Sequence, residues 1–154
     1  MDNEITIIVV VEYDHSGIKP VTYELLNAAR KLANNGKIIA LYFTDVENVD
    51  ESPLTHYGAD EIRICIHPDY HQYTHETYAA GLQSEIEKIK PDIVLMPASN
   101  SGKELSAAIA TRLEVVLATD CIDLQLSAEG EVTIKRPVFA GKAYSLCKLK
   151  GPKP

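Results

Sequence analysis

The stretch DIVLMPASNSGKELSAAIATRLEV, residues 92–115, decides the fold of this 154-residue chain. Its first part, Asp92–Ala98, is a short apolar run that reads as a buried strand. A small polar loop with one glycine follows. Leu105, Ala108, Ile109 and Leu113 then recur at helical spacing. A strand, a tight loop and a helix in that order form one half of a βαβ unit, whose loop sits at the carboxyl end of the strand. Ligands of open parallel sheets sit there. A helix start also offers free N–H groups to an anion. Ser99, Ser101, Gly102 and Lys103 are therefore the candidate cofactor-binding residues. The chemistry is incomplete, however. A phosphate loop needs G-x-x-x-x-G-K-[ST] and a dinucleotide loop G-x-G-x-x-G, because the backbone must approach the phosphate closely. One glycine is present here, and Glu104 adds an anion beside the site. The loop reads as a vestigial nucleotide loop in which Ser99 or Ser101 caps the helix and Glu104 supports the cap.

Working outward, the same alternation repeats. ITIIVVVE (residues 5–12) is a continuous β-branched run, and Pro20 suits the first turn of a helix extending to Asn34, with Gly36 as its cap. KIIALYF (37–43) and EIRICI (61–66) are further strands. Between them lies a polar segment with one short helix that ends near Tyr57 and is stopped by Gly58. Thr74 is placed to cap a helix whose apolar face is Ala79, Leu82, Ile86 and Ile89, ended by Pro91. The order βαβαβαβα predicts an α/β fold, a parallel sheet with helices on both faces. A strand order of 3-2-1-4-5 would set the loop after strand one against Ser99–Lys103. Beyond residue 115 the pattern changes. VVLATD, CIDLQLS, VTIKRPVFAG and AYSLCKLK are short strand-like runs separated by turns, so additional C-terminal β-strands follow the body. KGPKP has linker composition. The expected organisation is one domain over 1–149 and the start of a linker over 150–154.

Composition narrows the function. Hydrophobic residues make up 45% of the chain, enough for a core, and the net charge is −7 with a pI near 5.2. An acidic balance argues against a nucleic-acid partner. No apolar run is long enough for a membrane span, and the acidic N-terminus lacks the basic start of a signal peptide. Three widely spaced cysteines, Cys65, Cys121 and Cys147, suit reduced thiols in a cytoplasmic protein. His67, His71 and His75 are four apart, but Pro68 and the cap at Thr74 break the helix that would align them on a metal. No Ser/His/Asp or Cys/His set appears, so neither catalytic nor metal residues are assigned.

Several segments, in order, resemble the N-terminal domain of the electron-transfer flavoprotein alpha subunit: IIVVVEYDHSGIKPVTYELLNAARKLA, YGADEIRI, YAAGLQSEIEKIKPDIVLMPASNSGKELSAAIATRLEV, LATDCIDL and RPVFAGKA. The resemblance implies an adenine-nucleotide-hydrolase-like fold. It implies a heterodimer with a beta subunit, in which FAD carries electrons received from dehydrogenases. It implies that FAD lies mainly in a second alpha domain beginning after KGPKP and absent here, so this chain alone is expected to hold no cofactor. By motif, Arg136, Phe139 and Gly141 would lie near an interface, and the strand-rich tail would leave an edge that allows a homodimer when the chain is isolated. An electron-carrier component of this kind is not itself an enzyme. The alternative is a free-standing universal-stress-type protein that binds an adenine nucleotide with Val11, Glu12, Ser99, Ser101 and Lys103.

Overall fold

A computed structural model describes residues 4–33 and 35–154. Strand β1 (Thr6–Val10) alternates its side chains between two layers. Ile7 and Val9 join one core, Ile8 and Val10 the other. A two-stranded ribbon of β2 (Tyr13–Asp14) and β3 (Gly17–Ile18) leads into helix α1 (Pro20–Ala33). Next come β4 (Lys37–Thr44), the short α2 (Ser52–His56) and β5 (Glu61–Ile66). A single 3₁₀ turn at Pro68–His71 precedes α3 (His75–Ile89), β6 (Ile93–Leu95) and α4 (Asn100–Leu113). The strands β1, β4, β5 and β6 form one parallel sheet in the order β5-β4-β1-β6. Helices cover both faces, as expected. Leu26 and Ala29 of α1 and Leu54 of α2 pack on one side, and Ala79, Leu82 and Ile86 of α3 with Leu105 and Ile109 of α4 on the other.

The order reproduces the expected 3-2-1-4 arrangement. The fifth place beside β6 holds no strand among the described residues. VVLATD instead runs without a ladder partner, and the Val116 N–H donates to the Pro152 carbonyl at 3.3 Å. KGPKP, expected to start a linker, thus lies against the body, and Lys153 pairs with Asp92 at 3.1 Å. The C-terminal strands β7 (Asp123–Leu126), β8 (Val132–Val138) and β9 (Ala143–Lys148) form a separate antiparallel sheet, ordered β7-β8-β9. Leu124 and Leu126 dock it on the α1 side of the body.

Two local expectations change. Gly36 is not a left-handed cap. A side chain there would collide with the Ile5 carbonyl, so the glycine permits a close backbone approach between β1 and the turn before β4. Asn34, the expected end of α1, lies outside the described residues. Thr74 has the extended backbone of an N-cap, but its hydroxyl donates to the Thr77 hydroxyl at 2.9 Å instead of accepting from the helix.

Candidate functional site

The loops after β1 and β6 face each other across the carboxyl ends of the strands, and a cleft of about 610 Å³ opens between them. That volume falls in the usual range for small-molecule pockets. Glu12 lines the cleft. Its backbone is pinned by Thr22, a fully buried residue whose hydroxyl accepts from the Glu12 N–H at 3.0 Å and donates to the Glu12 carbonyl at 3.1 Å. The β2–β3 ribbon turns the chain back, so the Lys19 N–H reaches the same carbonyl at 2.8 Å. The Lys19 ammonium then sits 3.0 Å from Glu12 Oε1.

The other Glu12 oxygen closes the cleft toward α4. Ser99 donates to Glu12 Oε2 at 2.5 Å, and the same hydroxyl accepts from the Gly102 N–H at 3.1 Å. Of the two expected caps, Ser99 is therefore the one formed. Ser101 lies 3.2 Å from it, hydroxyl to hydroxyl. The carboxylate thus reaches the positive end of α4 through one hydroxyl, where a bound phosphate would otherwise draw its stabilisation. Gly102 is required for a different reason from the one the loop pattern suggests. A Cβ there would overlap the Pro97 carbonyl oxygen, so the first turn of α4 sits directly on the end of the β6 strand.

The structure brings Ser99, Ser101 and Gly102 to the cleft but directs Lys103 away from it. Lys103 pairs with Asp120 at 2.7 Å. The cation at the site is Lys19, which sequence reasoning passed over because it lies before α1, 80 positions from the loop. Its spacing after a strand and a turn-rich YDHSG segment is the signal that could have found it. The hydrogen bond to Glu12 raises the Lys19 pKa above its usual value.

Tyrosines make the cleft's apolar wall. Tyr70 and Tyr78 meet edge to face at 5.0 Å, Tyr73 and Tyr78 are also 5.0 Å apart, and Tyr13 tilts against Tyr42 at 4.6 Å. Tyr73 donates to the Ser101 carbonyl at 3.1 Å. Burial, with Glu104 nearby, pushes the Tyr73 phenol up to about 12, so it stays a neutral donor at any physiological pH. Glu104 does not support the cap; it lies 3.5 Å from His75 Nδ1. The three histidines fall on different local elements. His67 caps the 3₁₀ turn by accepting from the Asp69 N–H at 3.2 Å, His71 ends that turn, and His75 opens α3. Among the described residues, no cluster of three or more His, Cys, Asp or Glu is arranged to hold a metal ion. No helix among them is long and apolar enough to cross a membrane.

The residues assigned to an interface lie elsewhere. Arg136 is half-buried on β8, opposite Ser145. Phe139 and Gly141 lie in the β8–β9 turn, and Phe139 is 80% exposed.

Fold and cleft together define an α/β domain with a parallel sheet, in which the hydroxyl that caps α4 is bound to one of the domain's own carboxylates. Comparison with known proteins gives the family. The electron transfer flavoprotein domain matches residues 7–154, and the chain belongs to that family. It is 31% identical over 138 residues to the electron transfer flavoprotein subunit alpha of Bacillus subtilis, covering 90% of this chain and 42% of that one. It is 31% identical over 148 residues to protein FixB of Azorhizobium caulinodans, covering 92% and 39%. It is 32% identical over 152 residues to subunit LctC of the lactate dehydrogenase (NAD(+),ferredoxin) of Acetobacterium woodii, covering 96% and 36%. The chain thus spans about two fifths of the length of these relatives. The family name implies a flavin, but the cleft does not fit FAD. The dinucleotide's pyrophosphate would meet the Glu12 carboxylate at the start of α4, and Gly102 leaves no open cradle because the Pro97 carbonyl lies against it.

Proposed function

We propose that this chain is the structural and docking domain of an electron-transfer flavoprotein alpha subunit. In this reading it packs against a beta subunit, and the complex holds FAD outside the Glu12 cleft and takes electrons from dehydrogenases. The observation that carries the reading is the Glu12–Ser99 contact at 2.5 Å in a member of this family. A domain that stops its own phosphate position has given up the ligand role of the fold and keeps the packing role. The exposed β7–β8–β9 sheet supplies a surface for that role. The docking domain contributes shape and charge, and no chemical step passes through its residues. The free-standing nucleotide-binding alternative draws support from the cleft volume, but the same carboxylate opposes it.

The test is reconstitution. The purified chain is expected to be colourless, and to form a complex of defined mass when mixed with the beta subunit of the same organism's electron transfer flavoprotein. A yellow preparation with stoichiometric flavin after desalting, or no complex with the beta subunit, would remove the proposal. Micromolar binding of AMP by the wild-type chain would favour the alternative.

A further inference from the structure

The cleft between the loops after β1 and β6 has the volume of a small-molecule site, and its polar groups divide into spent donors and free acceptors. The donors are used within the protein. The Ser99 hydroxyl donates to Glu12 at 2.5 Å, and the Gly102 N–H donates to Ser99 at 3.1 Å. The Tyr73 hydroxyl goes to the Ser101 carbonyl at 3.1 Å, and the Tyr78 hydroxyl to the Tyr70 carbonyl at 3.3 Å. The Lys19 ammonium lies 3.0 Å from Glu12 Oε1, so these two charges answer each other.

The acceptors are left over. Two more carboxylates, Asp14 and Asp45, line the same cleft. Asp14 uses Oδ1 for the Ser16 N–H and hydroxyl, at 2.8 and 2.6 Å, which leaves Oδ2 open. Among the described residues, no cation lies within 4 Å of Asp14 or Asp45. The apolar wall between them and α4 consists of Tyr70, Tyr73, Tyr78 and Met96, with Tyr13 on the β1 side. Burial, the neighbouring Tyr13 and Tyr70, and the Asp45 carboxylate all push the Tyr78 phenol up, so this wall stays neutral under a negative potential. At the end of β4, Thr44 is fully buried and lines the cleft as well. Its hydroxyl accepts from the Val46 N–H at 3.2 Å, and among the described residues its own proton meets no acceptor. Buried polar groups are normally satisfied, so this proton is a group for a ligand atom to engage.

We propose that this cleft binds a small organic cation, with its ammonium or amidinium head at Asp14 and Asp45, an aromatic body against the tyrosines, and a polar atom of that body at Thr44. Hydrogen bonds from a cation to a carboxylate are the stronger kind, and tyrosine rings attract cations as well. The net charge of −7 raises the local concentration of such a ligand and lowers that of anions. A bare metal ion fits less well, since no cluster of three or more His, Cys, Asp or Glu is arranged for one among the described residues. A single lysine or arginine side chain of a partner would leave much of the roughly 610 Å³ unfilled. The proposal goes beyond the docking reading and does not depend on it, because the cleft is a surface that reading leaves unused.

The experiment is calorimetric titration of the full chain at roughly pH 8, where an ordinary histidine is neutral. The probes share one phenol ring and differ in charge: tyramine is the cation, tyrosol the neutral analogue and 4-hydroxyphenylacetate the anion. Tyramine is expected to bind at least about tenfold tighter than tyrosol, and the anion most weakly, because charge-assisted hydrogen bonds outweigh neutral ones. Asp14→Asn with Asp45→Asn should bring tyramine to within about threefold of tyrosol and leave tyrosol within about twofold of its wild-type affinity. Glu24→Gln on α1 removes a carboxylate outside the cleft and should leave both within about twofold. Circular dichroism checks each fold, and Asp45→Asn alone carries the test, with a loss of about threefold, if the double variant is misfolded. Tyramine binding no tighter than tyrosol, or unchanged in the Asn variants, would overturn the proposal. So would the absence of binding by every probe at roughly millimolar concentration. Loss of tyramine binding in the complex with the beta subunit would give the cleft to a cationic side chain of that partner and overturn the small-molecule reading, whereas retained binding supports it. Failure to form that complex removes the docking reading and leaves this proposal to the titration of the chain alone.

Discussion

Glu12→Gln isolates the resident carboxylate with almost no change of shape. The Glu12 side chain is 16% exposed, and Lys19, its ion-pair partner, 39%. The Lys19 pair is therefore screened and worth about 0–1 kcal/mol. The Ser99 hydrogen bond is less accessible and involves a charged acceptor, so losing the charge there costs about 1–2 kcal/mol. Placing the carboxylate at the start of α4 adds about 0.3–1 kcal/mol. Glutamine keeps one acceptor, so the terms do not all disappear, and a net loss of about 1.5–2.5 kcal/mol is expected. For a chain of this size that corresponds to a fall in Tm of about 3–10 °C. Urea unfolding gives the free energy directly. Pairing the change with Ser99→Ala in a double-mutant cycle should return a coupling above about 0.5 kcal/mol, because the two groups touch. In parallel, AMP titrated against the wild-type chain should bind no tighter than about millimolar, and the Gln variant should bind it better because the repelling charge is gone. A Gln variant as stable as wild type, with no coupling to Ser99, would refute the resident-anion reasoning. Equal AMP affinity in the two proteins would refute its consequence for ligands.

Other changes probe different parts of the argument. Gly102→Ala should destabilise by about 1–3 kcal/mol in denaturant titration, because its methyl group meets the Pro97 backbone and α4 must shift. Ala140→Gly should stabilise by about 1 kcal/mol, since glycine adopts the positive φ of the turn without strain. The acid limb of stability should depend on Arg63. The Lys37 and Arg63 hydrogen bonds lower the Glu61 pKa, and the Lys88 and Arg63 hydrogen bonds lower that of Glu85, against the usual 4.5. Because the folded values lie below the unfolded ones, both carboxylates stabilise the fold above about pH 4.5 and lose that contribution as the pH falls through the lowered values. Urea midpoints measured from about pH 6 to about pH 3 should therefore fall less steeply in Arg63→Ala than in wild type.

Much of this molecule is legible from local pattern. The β5 strand spans the residues that the run EIRICI marks, and α4 begins where Ser99 stands as a cap. The continuous apolar run of β1 announces a strand buried on both sides, and its neighbours do cover both. Periodicity reports which face of each element is apolar, and adjacent residues along the chain settle that energy by themselves. The order of elements is equally local information, and it implies a parallel sheet with helices on each face.

The contacts that give the site its character are not local. Ser99 meets Glu12 across 87 positions, Lys19 takes the place that the loop pattern gives to Lys103, and Lys103 turns to Asp120. Each depends on how the parallel sheet brings the loops after β1 and β6 together, and on the ribbon that folds Lys19 back over Glu12. The requirement for glycine at 36 and 102 likewise comes from the carbonyls of Ile5 and Pro97, which only packing places there. In the tail, the sequence determined that the last 23 residues are basic and strand-forming. The register of β8 on β9 decided that Lys135, Tyr144 and Leu146 share the outer face, because pairing two pleated strands fixes every side chain to one side of the sheet or the other.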